Sequence, residues 1–107
     1  REPDGLAMSS RNSYLTPAER QQALCLYRAI TAVRECFAGG ETTPTRLLAE
    51  ARCQISTVAT AEIDYLELRD ATTLQPVSQA HSNTLLALAV KIGTTRLIDN
   101  TVLGEAL

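Results

Sequence analysis

The spacing of hydrophobic residues changes character once along this 107-residue chain, near Ala61, and that change fixes the class of fold. Before it, Ala23, Leu26, Tyr27, Ile30, Val33 and Phe37 recur at three- and four-residue steps, with Gln21, Arg28 and Glu35 opposite. That is the stripe of an amphipathic helix. Thr16 supplies a cap, Pro17 takes the first helical position and Glu19 completes a Thr-x-x-Glu capping box, while Gly39-Gly40 stops the helix. Thr43-Pro44 repeats the cap-then-proline signal and opens a second stripe through Leu48, Ala51, Ile55 and Val58. After Ala61 the pattern alternates. Ile63 to Leu68 reads as a strand with Leu66 and Leu68 on one face and Tyr65 on the other, and Asp70 to Pro76 is rich in turn formers. Leu85 to Val90 fits helix or strand by periodicity alone; its shortness and the close at Lys91-Ile92-Gly93 favour a strand buried on both faces. Thr95 to Asp99 follows the Gly93-Thr94 turn as a third strand. The expected class is α+β: residues 16–60 a helical pair, packed on a small three-stranded antiparallel sheet in residues 61–107, with residues 1–15 a loop in front.

Composition narrows the function classes. With 45% hydrophobic and 21% charged residues, the chain has the balance of one small globular domain, and disorder or a collagen-like repeat is excluded. A net charge of −2 without a Lys/Arg block argues against nucleic-acid binding, and a helix-turn-helix reader is disfavoured by the same balance. The longest apolar run, Leu85 to Val90, is too short to span a bilayer, and no secretory signal opens the chain. Cys25, Cys36 and Cys53 lack metal-like spacing and are expected to be buried reduced thiols, as suits a cytoplasmic protein. No metal site is expected. Because the chain begins at Arg1 rather than Met, an upstream segment is expected to be missing.

Single residues outside the first loop carry little chemistry. His81, the one histidine, sits in the polar stretch Gln79 to Asn83 and reads as a solvent-exposed loop residue. Glu67, Arg69 and Asp70 read as surface ion pairs. Arg96 and Asp99 are expected to brace the sheet against the first loop, without a catalytic part.

That first loop runs Arg1-Glu2-Pro3-Asp4-Gly5-Leu6-Ala7-Met8-Ser9-Ser10-Arg11-Asn12. On texture alone it is a Ser-rich segment before a helix, with Arg11 merely solvated. It also closely resembles the hallmark segment of the pantothenate synthetases, or pantoate–β-alanine ligases. The likeness continues in Tyr14-Leu15, in Asp64 to Asp70 and in Gly93 to Asn100, three ordered blocks over almost the whole chain.

The resemblance implies an ATP-dependent ligase of two half-reactions. Pantoate and ATP form pantoyl adenylate and pyrophosphate; β-alanine then attacks the mixed anhydride to give pantothenate and AMP. Such enzymes resemble class I aminoacyl-tRNA synthetases in pairing a Rossmann-like nucleotidyltransferase domain with a smaller carboxy-terminal lid. This chain would be the lid, with Met8, Ser9, Ser10 and Arg11 contacting ATP and Arg11 stabilising phosphate charge. The residue types suit phosphate binding. Arg11 offers a permanently charged fork, Ser9 and Ser10 small hydroxyls, and Asp4-Gly5 a flexible anchor for a closing loop. Mg2+ would be held mainly by ATP and the amino-terminal domain, which also carries a paired-histidine motif and the pantoate and β-alanine pockets. The intact protein would be a homodimer joined through that domain, and the chain alone would be inactive. Two alternatives stay open: a stand-alone interaction module using the two-helix face, or the lid of a related adenylate-forming ligase.

Overall fold

A computed structural model describes all residues, 1–107. Helix α1 covers Pro17–Ala38 and α2 covers Pro44–Ser56; strands β1 (Ala61–Asp70), β2 (Thr84–Ile92) and β3 (Thr95–Val102) follow. A one-turn 3-10 helix, Ser10–Tyr14, precedes α1 inside the segment expected to be loop. The three strands form one antiparallel sheet in chain order, so the α+β expectation holds.

Both ends of α1 follow its sequence signals. Thr16 Oγ1 accepts from the Glu19 amide at 3.1 Å, and Glu19 Oε1 accepts from the Thr16 amide at 3.0 Å, which closes the capping box. The α2 start differs. Thr43 makes no side-chain cap bond; instead the Glu41 carboxylate accepts the Thr43 amide at 3.2 Å. That bond holds the Glu41 carboxyl below its ordinary range.

The core lies between the helix pair and one face of the sheet. Leu26, Ile30 and Val33 of α1 and Leu47, Ala51 and Ile55 of α2 meet Leu86, Leu88, Val90 and Ile92 of β2, with Leu66, Leu68 and Leu97 at the sides. Each large aliphatic among them is worth about 1.5–3 kcal/mol of burial. In α2 Ala51 and Ile55 are buried as the spacing indicated, but the leucine that joins them is Leu47, and Leu48 is only half-buried. Against the expectation of three buried thiols, Cys53 is exposed and Cys36 half-buried, and only Cys25 is fully buried. Burial pushes the thiol pKa of Cys25 up.

Strand β2 is not buried on both faces. Helices cover one side only, where Thr84, Leu86, Leu88, Val90 and Ile92 disappear; on the other, Leu85 and Ala87 are half-buried and Lys91 is exposed. Ala89 is the exception, flanked in register by Tyr65 and Ile98. Strand β3 turns Thr95, Leu97, Asp99 and Thr101 inward. Polar groups on that inner face are satisfied: Asp99 by Arg1, and Thr101 Oγ1 by Arg34 Nη1 at 2.8 Å. Strand β1 carries a bulge. Ile63 faces Val90 and Tyr65 faces Ala89, leaving Asp64 as the extra residue.

Candidate functional site

The loop in front of α1 has a fixed base and a free tip. At its start, the Gly5 amide donates to the Glu2 carbonyl (2.9 Å) and the Glu2 amide to the Leu6 carbonyl (2.8 Å), closing a turn that drives Leu6 into the core. Gly5 stands at φ +97° with its Cα face against the Tyr27 ring. Arg1 donates to both carboxylate oxygens of Asp99, at 2.7 and 2.9 Å, and to the Gly5 carbonyl, while its guanidinium lies 5.3 Å from the Tyr27 ring centre. Asp99 therefore braces sheet against loop, through Arg1.

A second tie holds the far end of the base. Asn12 Nδ2 donates to Glu2 Oε2 and to the Ala7 carbonyl (3.0 Å). Glu2 is in turn gripped by Arg20 of α1 at 2.9 and 3.3 Å, and Arg20 also reaches Asp4 at 3.2 Å. The Arg20 hydrogen bond, helped by Asn12, holds the Glu2 carboxyl below its ordinary range. Sequence reasoning named neither Glu2 nor Arg20 as site residues; they lie eighteen positions apart, and no local pattern links them.

The tip is exposed. Met8 is 75% accessible, and Ser9, Ser10 and Arg11 are exposed too. Ser9 caps the 3-10 turn, its Oγ accepting the Arg11 amide at 3.1 Å, which leaves its hydroxyl hydrogen free to donate outward. Ser13 Oγ donates to the Ser10 carbonyl at 2.8 Å. Arg11 makes one weak contact, Nη1 to the Arg96 carbonyl at 3.3 Å, and no ion pair.

The four residues do not converge on one point. Met8, Ser9 and Ser10 line a depression of about 620 Å³ with Glu2, Asn12, Ser13 and Arg20. Arg11 lines a different one, of about 410 Å³, with Tyr14, Thr94, Thr95 and Arg96. The 3-10 turn separates them. Their electrostatics differ as well: Arg20 is already neutralised by Glu2 and Asp4, whereas the second depression holds two arginines.

Elsewhere the polar groups are structural or solvated. His81 is exposed, with Nδ1 accepting the Asn83 amide at 3.2 Å and Nε2 at 3.4 Å from Asp70. Asp70 caps the turn after β1 through the Thr72 and Thr73 amides, which lower its carboxyl pKa. Glu67 and Arg69 form an exposed pair at 3.3 Å. No group of three acidic, His or Cys side chains converges as a metal site, and no helix is long and apolar enough to cross a membrane.

Likeness to known proteins decides what this loop belongs to. The model of the pantoate-beta-alanine ligase family matches residues 1–102, which include the loop, both helices and all three strands. The chain belongs to that family. A pantothenate synthetase of Trichlorobacter lovleyi is 70% identical over 105 residues, covering 98% of this chain and 37% of that protein. The crystal structure of pantothenate synthetase from Thermus thermophilus superposes with a TM-score of 0.89 at 37% identity, over 96% of this chain and 37% of that one. A pantoate-beta-alanine ligase from Francisella tularensis shares the fold at TM-score 0.59 and 24% identity, over 99% of this chain and 31% of its own. The chain thus spans about 37% of the length of the curated relatives it matches.

Proposed function

We propose that this chain is the carboxy-terminal lid of an enzyme that joins pantoate to β-alanine through a pantoyl-adenylate intermediate, converting ATP to AMP and pyrophosphate. Family membership over residues 1–102 is the observation that carries this reading. The loop chemistry agrees with it. Attack of the pantoate carboxylate on the α-phosphorus brings two anions together and drives charge onto the departing pyrophosphate, so catalysis needs positioned cations and donors. Arg11, unpaired and exposed, is the cation that can be offered without breaking an ion pair. Ser9 and Ser10 supply hydroxyls at the tip, and Met8 presents apolar surface suited to packing near the adenosine.

Closure would pivot beyond Leu6. The turn at Asp4-Gly5 is pinned to Tyr27 and the core, so movement belongs to Ala7 and the residues after it, which carry Met8, Ser9 and Ser10 on one depression and Arg11 on the other. Glu2 and Asp4, the acids at the loop base, are engaged by Arg20 rather than free to ligate a cation. Any Mg2+ would therefore be held by ATP and by an upstream nucleotidyltransferase domain. That domain would also bring the acid and amine pockets and the dimer contact of a cytoplasmic homodimer, so the chain alone would be inactive.

The test is reconstitution. Mixing this chain with the amino-terminal domain of a relative should restore β-alanine-dependent AMP release, and Arg11→Ala should lower that rate about a hundredfold, the scale of losing one charge-stabilising donor. No AMP release from the unaltered mixture would overturn the lid assignment, and an Arg11→Ala variant that forms adenylate at the unaltered rate would overturn the part given to Arg11.

A further inference from the structure

The bulge at Asp64 sets up a second cation beside the loop. By adding one residue to β1, it brings Asp64 and Tyr65 together at the edge of Arg96, which projects from the outer face of β3. Asp64 Oδ2 accepts from Arg96 Nε at 2.7 Å, and the guanidinium lies 5.7 Å from the Tyr65 ring centre. Both partners of this pair are about half-exposed, so it contributes little to stability. Its consequence is orientation. With Nε occupied by the acid and one face set against the ring, the guanidinium keeps its terminal amino groups for another partner.

Arg96 lines the same depression as Arg11, with the hydroxyl-bearing Tyr14, Thr94 and Thr95 around it. Its volume of about 410 Å³ lies within the ~300–1,000 Å³ typical of small-ligand sites. Two guanidinium groups share that space and only one carboxylate touches either of them. We propose that Arg96 and Arg11, with Tyr14, Thr94 and Thr95, bind a condensed phosphate: free pyrophosphate or the phosphate chain of a nucleotide. Two planar forks, with the exposed Tyr14 and Thr94 beside them, match the many peripheral oxygens of such a chain. Arg96 then has a binding role of its own, beyond bracing. This deepens the lid reading and rests on it for the source of the phosphate, since the bond cleaved there releases pyrophosphate.

All five residues belong to this chain, so the site is complete in it. The experiment is an amide NMR titration of the chain with sodium pyrophosphate, and separately with ATP, at constant ionic strength. Amides of Arg11, Thr94, Thr95 and Arg96 should shift together and saturably. Arg96→Gln should weaken binding about tenfold, the cost of one charge-assisted group. Lys91→Gln removes the same charge from the neighbouring register position outside the depression, and should change affinity less than about twofold. The proposal is overturned if no saturable shift occurs, if shifts stay within Ser9 to Asn12, or if Lys91→Gln weakens binding as much as Arg96→Gln. A response to ATP alone, indifferent to Arg96→Gln, likewise overturns it and leaves the lid assignment standing. Conversely, Arg96-dependent pyrophosphate binding by this chain, together with no β-alanine-dependent AMP release from the unaltered reconstituted mixture, would keep this site and remove the lid assignment.

Discussion

Replacing Gly5 with alanine separates two costs that meet at one residue. The backbone there sits at φ +97°, and an added Cβ would stand 2.4, 2.6 and 2.7 Å from three carbons of the Tyr27 ring. Carbon–carbon contact is comfortable at about 3.5–4.0 Å, so ring or loop must move by about 1 Å. Gly40 provides the control: its φ is +105°, and a Cβ there meets nothing within 4 Å. Positive φ costs an L-residue about 1–2 kcal/mol, partly offset because alanine restricts the unfolded chain. Overpacking adds about 1–3 kcal/mol at Gly5 alone. Gly40→Ala should therefore destabilise by roughly 1 kcal/mol and Gly5→Ala by roughly 2–4 kcal/mol, near 10–20 °C in Tm for the latter. Urea unfolding followed by far-ultraviolet circular dichroism reads both, with the m-value unchanged. In a Tyr27→Ala background the Gly5→Ala cost should fall to that of Gly40→Ala, because the ring that creates the clash is gone. Equal costs for the two glycines in the native background would refute this reasoning.

Three further outcomes follow from the core and the loop base. Leu47→Ala should cost about 3–5 kcal/mol and Leu48→Ala less than about 1.5 kcal/mol in the same urea assay; the reverse order would make Leu48 the buried leucine, as the sequence spacing had it. Glu2 has its folded pKa lowered below the ordinary 4.5, so its contribution is fully present above about pH 4.5 and lost as pH falls through the lowered value. Carboxyl carbon shifts of Glu2 should show that displaced titration, and Arg20→Gln should return it towards 4.5. Iodoacetamide should alkylate Cys53 in the native protein and Cys25 only upon unfolding, as peptide mass mapping would reveal.

What the sequence made legible was local or periodic. The capping box at Thr16 and Glu19 needs only residues three apart, and the order of helices and strands needs only the switch from a 3.6 to a 2.0 period. One-sided coverage of β2 was not legible, because a run such as Leu85 to Val90 is equally apolar whether helices lie on one face or on both. Leu48 rather than Leu47 was expected in the α2 stripe for a related reason: they are adjacent leucines, either can stand a turn before Ala51, and only the position of the sheet decides which is buried. At the site, the motif drew attention to Met8 through Arg11. The ties that place those residues join Glu2 to Arg20 and Arg1 to Asp99, across 18 and 98 positions, and packing alone brings them together. Nor did the motif show that Arg11 lies across the 3-10 turn from the two serines, since that depends on which side of a short helix each residue occupies.

The loop in front of α1 is held unequally at its base and its tip. Freeing the base means breaking a bidentate Arg1–Asp99 pair whose acid is nearly buried, pulling Leu6 from the core and leaving Asn12 and Arg20 without Glu2. Stranding a buried charge alone costs about 3–5 kcal/mol. Freeing Arg11 means giving up one exposed 3.3 Å hydrogen bond, worth at most about 1 kcal/mol when water can replace it. Motion therefore concentrates where resistance is least, in the few residues from Ala7 to Arg11, and the rest of the chain serves as a rigid mount. A phosphate chain that engages Arg11 more strongly than the Arg96 carbonyl does can take over that guanidinium without disturbing the sheet. Under the lid reading, the small barrier to leaving is also what lets the tip return once the leaving group has gone.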